Sequence, residues 1–134
     1  MRKVHIPQPQ NVRRIQGSFA WIDHRLLHSG YLPVMTHQDQ ALYLFLVLAA
    51  DRHGVSFYRK EKVCDILGLD FQQFEIARDR LINLNLIAYE PYTALSPNGY
   101  YQVRPIPSAA PALTPKPAQD LTQQLVNSWN QLNQ

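Results

Sequence analysis

Two histidines four residues apart are the first residues whose spacing could support chemistry. His24 and His28 could present two imidazoles from one helix face, and Asp23 adds a carboxylate beside them. No third ligand follows at a suitable spacing, so we do not predict a metal site. The histidines and carboxylates form no recognisable catalytic set, and the sequence contains no Gly-rich phosphate loop. We therefore expect a non-enzymatic protein without a cofactor or a small-molecule substrate.

The single cysteine and the apolar runs limit the class of protein. One cysteine, Cys64, excludes an internal disulfide framework and suits a reducing cytosol. Cys64 falls in a helical apolar pattern, so we interpret it as a packing residue and not a nucleophile. The basic N-terminus lacks the apolar core of a signal peptide, and the longest apolar run, residues 41–50, is too short to span a membrane. We expect one folded domain, in the cytoplasm, within the 134 residues.

Positive charge is concentrated at the N-terminus. The formal net charge is only +3, yet the first fourteen residues contain four basic side chains and no acidic one. These basic residues are Arg2, Lys3, Arg13 and Arg14. They could contact DNA phosphates or enter a minor groove, or they could simply be solvated, and the sequence leaves both interpretations open.

Composition divides the chain into four segments. Residues 1–16 read as a flexible basic arm, residues 17–104 as the folded domain, and residues 105–117 as a linker, because they contain five of the ten prolines. Residues 118–134 predict a short amphipathic helix. Its apolar stripe consists of Leu121, Leu125, Trp129 and Leu132. The stripe could dock on its own domain, pair with a second copy in a homodimer, or bind another protein.

The first half of the domain predicts a central helix followed by a strand. Residues 19–31 suggest a short helix or strand that packs on this helix. Thr36 is a predicted N-cap, with Asp39 in the place of the usual capping-box Glu. The next ten residues are apolar nearly all round, so we expect this helix to be the most buried one. Gly54 is predicted to end it, and residues 55–58 alternate as a strand does.

The second half predicts two short helices and a hairpin. Residues 60–67 are helical, Gly68 permits a turn with positive φ, and Asp70 can cap a second helix. The inward positions of the second helix are predicted to be Phe74, Ala77, Leu81 and Leu84. Asn85 can adopt the left-handed conformation that stops this helix. Residues 86–92 and 100–103 are rich in β-formers, and turn residues separate them, which predicts a hairpin.

The spacing around Gly68 matches the usual helix-turn-helix pattern. In that pattern the position of Cys64 is occupied by a small residue. The pattern also has apolar residues at five positions, which are Val63, Leu67, Leu69, Phe74 and Ala77 in this sequence. The stretch LINLNLIAYEPY then resembles the entry into the wing of winged-helix proteins, with Asn85 in place of glycine.

Residues 19–104 resemble in layout the N-terminal domains of DnaD-type replication initiation proteins and plasmid initiators. The resemblance implies a mainly α winged helix-turn-helix fold with a small β wing, and it implies binding to double-stranded DNA. The candidate DNA contacts are Arg2, Lys3, Arg13, Arg14, Arg59, Lys60, Lys62, Gln72, Gln73, Arg78, Arg80, Asn98 and Tyr100.

The predicted recognition helix presents an unusual number of carboxylates. Asp70, Glu75 and Asp79 are three of the six positions expected to face the groove, and carboxylates beside phosphates are unfavourable. Base reading by this helix and a binding mode led by the wing and the arm therefore both stay open. Tyrosines on the hairpin could stack on nucleic acid, but cross-strand packing is the commoner role of such residues. The four are Tyr89, Tyr92, Tyr100 and Tyr101.

The function predicted from these features is that of a DNA-binding transcription regulator or a replication or transposition accessory factor, bacterial or from a mobile element. The alternative is a winged helix used as a protein-interaction adaptor, with the C-terminal helix as its hook. The basic arm favours the first function, and the acidic recognition helix favours the second.

Overall fold

Four α-helices and three short strands form the part of the protein that the computed structural model describes, residues 4–107. The helices are α1 (Arg25–His28), α2 (His37–Ala49), α3 (Lys60–Leu67) and α4 (Phe71–Asn83). The strands are β1 (Val55–Ser56), β2 (Ile87–Pro91) and β3 (Gly99–Val103). Short 3₁₀ turns lie at Pro9–Asn11 and Leu32–Val34. This order is a winged helix-turn-helix, mainly helical with a small β wing, as predicted.

Helix α2 lies at the centre of the domain and contacts α3, α4, β1 and β3. The predicted capping box is present, since Thr36 Oγ1 accepts from the Asp39 N–H and Asp39 Oδ2 accepts from the Thr36 N–H. The expectation that α2 is the most buried helix is confirmed, since five of its residues are buried, against three in α4 and two in α3, although one side of it is open. Leu44 and Leu48 are 49% and 65% exposed, because the neighbouring elements leave one side of α2 uncovered.

Gly54 does not end α2. The helix stops at Ala49, and Ala50 is extended. Asp51 then organises a separate turn, because its Oδ1 accepts from the N–H groups of His53 and Val55 at 2.8 and 3.1 Å. Gly54 closes that turn with a φ of 83°, and its N–H donates to the Asp51 carbonyl. The carboxylate of Asp51 thus satisfies amides that a longer helix would have used.

The segment that precedes α2 is mostly irregular. Only α1, within the predicted 19–31 element, is helical, and its Leu26 packs on the core. Phe19 and Trp21 are largely exposed, at variance with a segment packed along its whole length on α2. Tyr31 and Met35, at the end of this segment, are buried.

The sheet has the order β1-β3-β2 and is antiparallel throughout. The hairpin register places Tyr89 opposite Tyr101 and Glu90 opposite Tyr100. The predicted hairpin is confirmed to within a residue or two, whereas β1 is shorter than the predicted residues 55–58. The strand ends early because Phe57 no longer pairs with β3, which reaches β1 only through Tyr101 and Gln102.

The core lies between α2, the α3–α4 pair and the sheet. The predicted inward residues Phe74, Ala77 and Leu81 are buried, and Leu84 is partly buried. Cys64 is buried too, and burial raises the pKa of its thiol, in agreement with a packing role. Ile106 falls in the predicted linker, yet it is 4% exposed and belongs to the core. The packed chain therefore continues past residue 104.

Candidate nucleic-acid interface

The turn between α3 and α4 is tight because one glycine reverses the chain. Gly68 has a φ of 69° and a ψ of 35°, the left-handed conformation that was predicted. The N–H groups of Gly68 and Leu69 both donate to the Cys64 carbonyl, which closes the end of α3. Asp70 follows immediately as the N-cap of α4. The two helices are therefore joined by a rigid corner that fixes the direction of α4.

A reciprocal capping box holds the start of α4. Asp70 Oδ1 accepts from the Gln73 N–H at 2.7 Å, and Gln73 Oε1 accepts from the Asp70 N–H at 3.0 Å. The side-chain amide oxygen of Gln73 is therefore occupied by the Asp70 N–H, although the position of Gln73 in the sequence suggested a DNA contact. Gln72, its neighbour, is exposed. Of the two glutamines, Gln72 is the better placed to reach a base edge.

The carboxylates of α4 are each engaged inside the domain. Asp70 caps the helix, as described above. Glu75 Oε1 lies 3.7 Å from Lys60 Nζ, and Asp79 Oδ1 lies 3.2 Å from Arg78 Nε. Partly exposed pairs of this kind contribute little stability, but they do offset the local negative potential. The acidic character of α4 in the sequence is thus reduced at its surface.

The candidate basic residues divide into exposed and engaged groups. Arg59 and Lys62, near the start of α3, are exposed. Lys60 is only 17% exposed in its side chain, and its Nζ lies 4.9 Å from the centre of the Phe71 ring. Arg13 and Arg14 are exposed on the arm, whereas Arg2 and Lys3 lie outside the described residues.

The two arginines of α4 point into the domain. The Arg78 guanidinium packs 5.0 Å above the Tyr89 ring. Arg80 Nε is buried, and its Nη2 lies 3.5 Å from the Val34 carbonyl. These contacts hold α4 against the sheet and against the 3₁₀ turn Leu32–Val34 that precedes α2. A phosphate contact by either arginine stays a prediction, and it would require the side chain to leave its present partner.

The wing is the β2–β3 hairpin, residues 87–103, and it carries aromatic residues and no basic one. Tyr89 and Tyr101 pack against each other, with ring centres 4.8 Å apart, as cross-strand packing predicts. Tyr92 and Tyr100 are partly exposed and meet edge to face at 4.9 Å. Phe57 completes this outer cluster, since Tyr92 Oη donates to its carbonyl at 3.0 Å. Phe57 was not among the predicted site residues, because its contact with Tyr100 depends on the fold.

Asn98 has a structural role in the wing. It is buried, and its Oδ1 accepts from the backbone N–H of Lys60 at 2.8 Å. Its backbone carbonyl also accepts from the Tyr92 N–H. The side chain that the sequence assigned to DNA contact thus connects the wing to α3. Tyr100, the other wing candidate, remains partly exposed.

Two further candidate sites from the sequence are the histidine pair and the C-terminal apolar stripe. His24 and His28 lie with ring centres 6.2 Å apart, and the described residues contain no group of three or more side chains suited to a metal ion. Within the same part of the chain, no helix is long and apolar enough to cross a membrane. The predicted stripe of Leu121, Leu125, Trp129 and Leu132 lies outside the described residues.

The fold and the α3–α4 corner define a winged-helix protein. Residues 8–104 match the family model of the DnaB N-terminal winged helix domain, and the chain belongs to that family. It is also similar to a solved chain described as "Structure of Rep-DNA complex", with a TM-score of 0.48 and 18% sequence identity. That match covers 91% of this chain and 95% of the other. No curated protein sequence matches the chain.

Proposed function

We propose that this protein is a non-enzymatic, cytoplasmic factor that binds double-stranded DNA. The observation that carries the proposal is the outward face of α4, which is open while each of its carboxylates has a partner inside the domain. Gln72 lies on this face, and Arg59 and Lys62 are exposed basic residues at the start of the neighbouring helix α3. An open helix face that presents an amide side chain, with cations on the neighbouring helix, is suited to a major groove.

The process served by this binding is proposed to be replication initiation. Transcription control and transposition were equally open from the sequence, and membership of the DnaB N-terminal winged-helix family favours replication. A bacterial or mobile-element origin is consistent with this role. The basic arm supplies additional phosphate contacts in the proposal, because its Arg13 and Arg14 are exposed.

The proposal is tested by titrating the full chain against random-sequence duplex DNA at several salt concentrations. Fluorescence anisotropy should show binding whose affinity falls as salt rises. Lys62→Ala should weaken binding and reduce the slope, while Gln72→Ala should weaken binding with little change in slope. Arg52→Ala is the matched control, since it removes one exposed positive charge from the turn before β1. Equal effects of Lys62→Ala and Arg52→Ala would mean that only net charge matters.

A protein-interaction adaptor remains the second candidate, and one observation favours it. Phe71 and Ile76 on α4 are 48% and 39% exposed, and Ile66 on α3 is exposed as well. Exposed apolar side chains on a helix face are more typical of a protein contact than of a DNA groove. An absence of DNA binding by the full chain even at low salt would favour this function, with Phe71 and Ile76 in the interface.

A further inference from the structure

A large open groove lies away from the α3–α4 corner. Its volume is about 1220 Å³, above the range of roughly 300–1,000 Å³ that is usual for small-molecule pockets. One wall is the segment 18–23, another is the end of α2, and the third is the chain that follows β3. No residue of α3 or α4 lines it. The groove is therefore separate from the proposed DNA-binding face.

Several large apolar side chains that line the groove are exposed. Trp21 is 86% exposed and Leu48 is 65% exposed, and both line it together with Phe19. Tyr43 and Val47 of α2, which also line the groove, are buried. Large side chains that converge on one concavity indicate a binding surface for another apolar element.

The chain itself leaves the described structure at this groove. Pro105 and Ile106 are lining residues, and Pro107 is the last described residue. Residues 108–117 contain three further prolines, and ten residues span at most about 33–36 Å when fully extended. That reach is about the diameter of a small domain, so the sequence that follows can return to any part of the groove.

Residues 118–134 have the composition of a segment that binds in an apolar groove. Leu121, Leu125 and Trp129, with Leu132 beyond them, recur at intervals of four, four and three residues. Asp120 is the sole charged residue between 118 and 134, so covering this segment desolvates little charge. A helix with a narrow apolar stripe fits between two apolar walls. Tethering to the same chain makes the docking intramolecular, at an effective concentration in the millimolar range.

We propose that residues 118–134 dock as an amphipathic helix into the groove of their own domain and cover Trp21 and Leu48. This docking leaves α4 open, since the groove contains no residue of the helix-turn-helix. The proposal is thus independent of DNA binding, and either one can fail without the other.

The test uses the full chain in a Trp21→Phe background, so that Trp129 is the only tryptophan. Trp129 emission should be blue-shifted and poorly quenched by acrylamide, at every protein concentration. Leu48→Glu should red-shift the emission and increase quenching several-fold. Leu44→Glu is the matched control, because Leu44 is an exposed residue of the same helix that does not line the groove. It should leave the emission unchanged.

A second experiment keeps Trp21 and uses Trp129→Phe, so that the measured fluorescence comes from Trp21 in the groove. Trp21 should be protected from acrylamide, and adding Leu125→Ser to this chain should release the protection. Sedimentation at several concentrations should show a monomer in each case. A solvated Trp129 in the unaltered background would overturn the proposal. Equal effects of the two glutamate variants would also overturn it, as would protection that appears only with dimerisation, which would assign the groove to a second copy.

Discussion

The side-chain oxygen of Asn98 in the wing accepts a hydrogen bond of 2.8 Å from the backbone N–H of Lys60, the first residue of α3. An N–H at the start of a helix has no partner within that helix, so the bond satisfies a group that would otherwise lack one. It also fixes the wing relative to the helix-turn-helix. The two parts that would contact one DNA duplex are thereby held as one rigid unit.

Asn98→Ala should lower the free energy of unfolding by about 1–3 kcal/mol, because it leaves a largely covered N–H without an acceptor. Urea unfolding monitored by circular dichroism measures the loss. Asn98→Asp is the matched variant, since its carboxylate keeps the acceptor at the positive end of α3. Equal losses in the two variants would show that the hydrogen bond is not the cause.

Gly68→Val should lower the free energy of unfolding by about 1–3 kcal/mol, because a β-branched residue resists the φ of 69° found there. A Cβ at this position would meet nothing within 4 Å, so the cost is conformational and not steric. Gly68→Asn should therefore lose much less, since asparagine tolerates the left-handed region. Thermal melts that coincide for Gly68→Val and the wild type would contradict the turn geometry.

Asp39 should give the protein a pH dependence of unusual sign. Burial raises the pKa of the Asp39 carboxyl above its ordinary value of 3.8, although hydrogen bonds with Thr36 and the charge of Arg80 oppose the shift. The folded state therefore keeps this proton at pH values where the unfolded chain has lost it. The contribution of Asp39 to stability is largest below pH 3.8 and declines as the pH rises through the folded pKa.

The comparison with Asp39→Asn isolates this effect from other carboxylates. The free energy of unfolding of the wild type minus that of the variant should fall as the pH rises from about 3, and should then become constant. Urea titrations at half-unit pH intervals measure this difference. A difference that increases with pH would mean that the hydrogen bonds of Thr36 outweigh burial.

Deletion of residues 1–14 should weaken DNA binding and flatten its salt dependence. Each lost phosphate contact should reduce the slope of log K against log salt by about 0.9. The deletion removes Arg2, Lys3, Arg13 and Arg14, so the reduction has an upper limit of about four contacts. A version of residues 1–14 with these residues changed to Gln provides the control for chain length. An unchanged slope would show that the arm is only solvated.

The sequence alone identified the features whose causes lie close together in the chain. The Thr36–Asp39 capping box, the Asp70 N-cap, the left-handed Gly68 and Asn85, and the turn of the hairpin follow from residues that lie close together in the sequence. The role of Gln73 in a second capping box was not predicted. The apolar spacing of α3 and α4 likewise identified Phe74, Ala77 and Leu81 as core residues. Local hydrogen bonding and helical periodicity are enough to specify such features, and the fold class followed from their order.

Only the tertiary structure decided which polar and apolar side chains face the solvent. Arg80 and Asn98 look like surface ligands in the sequence, yet each is held by a residue distant in the chain. Leu48 looks like a core residue and instead lines an open groove. An arginine or a leucine on a helix is compatible with a buried or a solvent-exposed position. The elements packed beside the helix determine which of the two it occupies. That packing depends on contacts between distant parts of the chain, for which a single sequence contains no direct signal.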